Sequence, residues 1–144
     1  MESLLVNGLI GGLIATVVMT VFQMGLGGDN PPPTSILWSK YIGSEGPEAY
    51  LPQGMVLHFI YGIGAGGAFG VGVYLLELEI TDLLIAAAVG LGYGVVLFII
   101  AAVLWMKVVL QLEADGKTIG MFLFFHLVYG IVLGLWMSAE LITL

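Results

Sequence analysis

The chain of 144 residues contains no cysteine and no arginine, and its only fixed cations are three lysines. Without cysteine there can be no disulfide scaffold, thiol redox chemistry or cysteine-ligated metal centre. Charged residues make up 9% of the sequence, against about 25% in a soluble domain whose surface must face water. That shortage excludes an ordinary soluble enzyme and a charge-rich disordered chain. A formal charge of −7 argues against a nucleic-acid partner and against a basic patch for anionic lipid. What the chain has in excess is apolar: 60% of it is hydrophobic and its mean hydropathy is +1.11. The composition therefore predicts an integral membrane protein whose main partner is the lipid bilayer.

A helix needs about 20 mostly apolar residues to cross about 30 Å of hydrocarbon. Four stretches qualify, at 4–26, 53–76, 83–106 and 118–141. Glu2 and Asp29 bracket the first, Glu77 ends the second, Asp82 and Lys107 bound the third, and Glu140 lies at the end of the fourth. The runs lack the apolar–polar alternation of a transmembrane β-strand and the polar stripe of a soluble helix. The expected fold is all-α, a single integral membrane domain over 1–144 built as a bundle of four transmembrane helices. No Lys or Arg precedes Lys40, so the first span lacks the positive start of a cleaved signal peptide and reads as permanent.

Lys40 lies between spans one and two, and Lys107 and Lys117 flank the connection between spans three and four. Both loops fall on one side, which the positive-inside rule places in the cytoplasm, with both termini outside. Residues 27–52 are expected to form an interfacial loop. Pro31, Pro32 and Pro33 stop the first span. Thr34 or Ser35 is then expected to cap a short helix carrying Leu37, Trp38 and Tyr41, whose aromatic rings favour the headgroup layer. The loop reads as an anchored linker rather than a lid.

Spans two and four share a motif. His58-Phe59-Ile60-Tyr61-Gly62-Ile63 recurs as His126-Leu127-Val128-Tyr129-Gly130-Ile131, and Gly66 answers Gly134, at a constant separation of 68 residues. The repeat predicts two copies of a helical hairpin in parallel orientation. Residues four apart share a helical face. Such faces carry Gly62, Gly66 and Gly70 on span two and Gly130, Gly134 and Ser138 on span four. Gly8, Gly12, Thr16 and Thr20 lie at that spacing on span one, and Ala86, Gly90 and Gly94 on span three. Small residues at this spacing let backbones approach closely where lipid offers no hydrophobic drive. A glycine stripe can also leave a groove for a flat or chain-like ligand.

The two histidines are the side chains within the spans that titrate near neutral pH. They fall about 8 and 12 Å past the expected span starts, at 1.5 Å per residue. Intramembrane ionisable groups are costly and point to function. Three readings follow. The rings can hold the bundle together by hydrogen bonds, through Tyr61 or Tyr129. They can be the two axial metal ligands of one haem b, with Gly62, Gly66, Gly130 and Gly134 making room for the macrocycle. With Tyr61 and Tyr129 they can relay protons or line a small ion path, although no mid-span carboxylate supports a coupled transporter. The methionines are scattered among the spans and form no copper ladder. No HExxH, GxSxG or GxxxxGK[ST] sequence occurs, so no catalytic residues are predicted.

The Gly-rich first span ending in Pro31-Pro32-Pro33, the short aromatic loop, and the spans bearing His58-Phe59-Ile60-Tyr61-Gly62 and His126-Leu127-Val128-Tyr129-Gly130 resemble small four-span membrane proteins of the YagU-like kind and related archaeal ones. The resemblance covers most of the chain. It implies a small accessory membrane protein and supplies no catalytic residues. The leading expectation is thus a non-enzymatic accessory or assembly subunit, partnered by other membrane subunits or by copies of itself. A one-haem electron carrier and a small proton or ion pathway are the alternatives.

Overall fold

The structure, a computed structural model, describes residues 1–26, 31–80 and 82–139. Among these there is no strand. The helices are α1 (Glu2–Leu26), α2 (Pro33–Tyr41), α3 (Leu51–Leu75), α4 (Leu83–Ile99) and α5 (Gly116–Ser138), with a 3-10 turn over Pro47–Tyr50 leading into α3. α4 continues without a break as a π-helix over Ile100–Leu110. Taken with these extensions, α1, α3, α4 and α5 are each long and apolar enough to cross a membrane. The chain is an all-α, multi-pass helical membrane protein.

Helix ends follow local chemistry. The Asp82 carboxylate accepts the Leu84 and Ile85 amides at 2.8 and 2.9 Å, and Asp115 accepts Thr118 N–H at 2.8 Å; both satisfy amides that helix starts leave unpaired. Two expectations need correction here. α2 has no side-chain cap: Pro32 stands at its N-cap and Pro33 in its first turn, where a missing N–H costs nothing. Thr34 and Ser35 are therefore already inside the helix, with both hydroxyls buried and unpartnered. The third span runs past 106 to Leu110, so Lys107 is inside it, and Gln111 ends it in the left-handed region with φ 57°. Asp29, Glu140 and the predicted end of the fourth span at 141 lie outside the described residues.

Three sides of the bundle are closed. Along α1 and α3, a Cβ at Gly8 would fall on the Gly66 carbonyl, and one at Gly12 would lie 2.7 Å from the Gly62 oxygen. Along α4 and α5, Gly90 and Gly130 abut each other's carbonyls, and Gly134 abuts that of Ala86. Between α1 and α5, Gly11 receives the Trp136 ring and a Leu133 methyl. The fourth side differs, because α3 and α4 barely approach one another. Aromatic rings bridge them: Phe69 and Tyr93 lie 4.9 Å apart, Tyr61 and Trp105 6.1 Å apart, and the Tyr93 hydroxyl donates to the Ala65 carbonyl at 2.6 Å.

α2 is more than a linker. Ser35 is fully buried against Gly54 of α3. Lys40 Nζ donates to the Val109 and Leu110 carbonyls at 3.3 and 3.0 Å, and Tyr41 OH donates to Val109 at 2.7 Å. These bonds satisfy carbonyls that the π-helix leaves free at its C-terminus, and they lay α2 across one end of the bundle. Outward positions such as Val21, Val56, Leu84 and Val103 expose apolar side chains, as a helix wall facing lipid does.

Candidate functional site: a histidine-lined cavity

All five helices converge on a cavity of about 250 Å³ at the α2 end of the bundle. α1 contributes Thr16, Met19 and Gln23; α2 roofs it with Pro32, Pro33, Thr34 and Leu37. α3 presents Leu57, His58, Tyr61, Gly62 and Ala65, and α5 presents Phe122, His126 and Tyr129. The fourth wall is Leu97 with Ala101, Trp105, Met106 and Leu110. The last four explain the π-helix. Ala101 and Met106, like Trp105 and Leu110, are five residues apart, the spacing that i→i+5 bonding brings onto one face. An α-helix would turn Met106 and Leu110 away.

The polar groups of the wall are arranged unequally. His126 is 6% exposed, with Phe122 edge-on at 4.5 Å and Phe98 at 6.2 Å between ring centroids. Its Nδ1 lies 2.7 Å from the Phe122 carbonyl. A carbonyl can only accept, so the neutral ring carries its proton on Nδ1 and keeps its lone pair on Nε2. Tyr129 OH donates to the Gly62 carbonyl at 2.6 Å, and Thr16 OH donates to Gly12 at 2.6 Å. His58 Nε2 and Thr34 Oγ1, by contrast, are buried with no hydrogen-bond partner. None of the described wall residues is charged.

Of the residues singled out from the sequence, His58, His126, Tyr61, Tyr129 and Gly62 meet at this cavity. Gly66, Gly130 and Gly134 do not; they are pressed against backbone in the two helix seams and make no room for a ligand. Tyrosine–histidine bonding also fails. Tyr129 spends its proton on α3 backbone, His126 bonds within its own helix, and Tyr61 is 39% exposed, edge-on to Trp105.

The cavity volume speaks against haem b. An apolar cavity of about 150 Å³ holds one benzene ring, so about 250 Å³ takes a substituted ring, not four pyrroles. Among the described residues no three His, Cys, Asp or Glu side chains gather as a metal site. An ion path would meet walls without a compensating charge.

Sequence reasoning missed Thr34, Met106, Trp105 and the other roof and π-helix residues. Met19 and Met106, scattered in the sequence, share the wall. The one available signal was Gly12 to Thr16 at helical spacing, which places Thr16 opposite Gly62. In comparison with known proteins, the chain matches no family model, no curated protein and no solved structure.

Proposed function

We propose that the chain is a non-enzymatic, accessory membrane protein that holds a small lipophilic molecule in this cavity. The supporting observation is an uncharged chamber, fed by every helix, whose wall includes a buried histidine nitrogen without a partner. A buried, unpaired polar atom costs about 1–3 kcal/mol, and a bound molecule that pairs with it offsets the cost. The test is photolabelling in nanodiscs with a short alkyl diazirine. The expected result is saturable labelling of the peptides carrying His58, Trp105 and His126. Ala65→Leu, whose three added carbons take up about a third of the cavity, should sharply weaken it, and Ala68→Leu on the outer face should not. Labelling confined to lipid-facing positions, or unaffected by Ala65→Leu, would refute the reading.

Two finer features belong to this reading. The chain is taken as a duplicated hairpin. The 68-residue offset of α3 and α5 is matched by Gly8, Gly12 and Thr16 facing Gly66 and Gly62 as Ala86, Gly90 and Gly94 face Gly134 and Gly130. The lysine-bearing end, where Lys40 meets the end of the Lys107-bearing helix, is taken as cytoplasmic, with the termini outside. Single cysteines in this cysteine-free chain, labelled from either side, test that orientation.

A specific observation favours a second role as a subunit. Gly64 and Gly72 have nothing within 4 Å of an added Cβ, and with the exposed Ala68 they form an outward small-residue face on α3. Such faces seat neighbouring helices in membranes. Gly64→Leu with Gly72→Leu should shrink the particle on blue-native gels, and a wild-type particle of monomer size would remove this role.

A further inference from the structure

We infer that the cavity selects a hydroxyl-bearing lipophile, a small alcohol or phenol, whose hydroxyl donates to His126 Nε2. This rests on the reading of the cavity as a ligand site and adds the chemistry of the ligand's head.

The argument is one of proton direction. The most deeply buried polar side chains of the wall that have a hydrogen-bond partner are Thr16, His126 and Tyr129. Each has already given its proton to a helix carbonyl, at Gly12, Phe122 and Gly62 respectively. Toward a guest they offer lone pairs alone. The imidazole Nε2 is the strongest acceptor of the three, and the Nδ1 bond holds the ring in the tautomer that keeps it one. An ether, a ketone or a hydrocarbon has no proton to donate to these three, and a carboxylate would bring negative charge against their lone pairs.

The unpartnered atoms are of the opposite kind. Thr34 has an O–H to give, and His58 Nε2 can carry a proton, since no bond fixes that ring's tautomer. A hydroxyl both donates and accepts, so one such head can pair with His126 while receiving from His58 or Thr34. Size then limits the rest. An apolar cavity of about 150 Å³ holds the six carbons of benzene, so one of about 250 Å³ admits about ten non-hydrogen atoms. A longer tail would leave between α3 and α4, where backbone contact is sparse.

The probes are 4-propylphenol, its methyl ether and propylbenzene, each competing with the alkyl diazirine at equal membrane concentration in nanodiscs. The phenol is expected to displace the label roughly tenfold more effectively than either analogue, the value of one neutral hydrogen bond. In His126→Phe, which keeps a ring of similar volume, that preference should fall below about twofold. Equal displacement by all three compounds in the wild type would overturn the hydroxyl inference while leaving the cavity as a lipophile site. Displacement by none would overturn both. A preference surviving His126→Phe would remove His126 as the acceptor. The wild-type comparison stands even if the variant folds poorly.

Discussion

Two glycines two residues apart on α3 should respond oppositely to the same methyl group. A Cβ at Gly66 would strike the Gly8 carbonyl oxygen and lie 2.7 Å from Gly12 N, all of it backbone. Backbone on both sides cannot rotate away, so the helices must separate along the whole seam. Overpacking of this kind costs about 1–3 kcal/mol or more, against about 0.5–1 kcal/mol that alanine gains over glycine in a helix. Gly64 meets nothing within 4 Å, so there alanine collects the helix gain alone. Gly67 lies between them, because its added Cβ would meet the Leu9 and Leu5 methyls, which can swing aside. The expected order of stability is Gly64→Ala above wild type, Gly67→Ala near it, and Gly66→Ala lowest, with about 1–3 kcal/mol between the extremes, because the helix gain is common to both. Reversible unfolding by SDS in mixed micelles measures it. Equal shifts at 64 and 66 would mean that the α1–α3 seam is not closed as described, and the account of the bundle would fail with it.

Three further outcomes are expected. Tyr129→Phe loses the bond to the Gly62 carbonyl and should cost about 0.5–1.5 kcal/mol in the same unfolding assay, because it joins α5 to α3; no change would mean that the bond is not formed. The cap at Asp115 should depend on pH. Its bonds to Thr118 hold the carboxyl below the ordinary value of 3.8, so the cap contributes fully above that value and is lost as pH falls through the lowered one. Protection of the Thr118 amide, measured against its intrinsic exchange rate at each pH, should fall there, and Asp115→Asn should remove that pH dependence. Finally, Lys40→Met with Tyr41→Phe unfastens α2 from the Val109 and Leu110 carbonyls. Amide exchange at Leu112, whose N–H bonds to the Met106 carbonyl at 2.9 Å, should then quicken, and unchanged exchange would show that α2 holds nothing there.

Much of this architecture was legible in the residue pattern. The spans follow from apolar length, and the seams follow from small residues four apart, because backbone contact in lipid requires them. That rule put Gly62, Gly66 and Gly70 on one face of the second span, where the seam lies. It could not tell a glycine that makes room for a neighbour's backbone from one that makes room for a guest, since both need the same missing Cβ; Gly66, Gly130 and Gly134 proved to be the former. The meeting of the histidines was suggested by their common depth. Their partners were not, because a histidine bonding four residues back leaves no mark in composition. Nor did Ile100–Leu110 announce a π-helix. An unbroken apolar run satisfies either winding, and the choice lies in which residues reach the cavity.

The open α3–α4 side has a cause within the sequence once α3 and α5 are aligned on their shared motif, His58 to Gly62 against His126 to Gly130. Trp136 and Leu133 of α5 fill the α1–α5 side, and both press on Gly11. Their counterparts on α3 are Ala68 and Ala65. Ala68 is exposed, and Ala65 lines the cavity; Leu133 has no exposed surface at all. Two large side chains that close one side of the bundle are thus replaced by methyl groups on the other. A loss of volume from leucine to alanine inside a packed protein costs about 2–5 kcal/mol when the gap stays empty. The gap left at Ala65 opens on the cavity that the two histidines line, with Trp105 and Met106 of the facing helix at its border, and on the ligand reading this is the space a guest occupies. Ala65→Leu restores the side chain found at the matching position and narrows the space while leaving both histidines in the sequence, which is why the ligand reading stands or falls on that substitution.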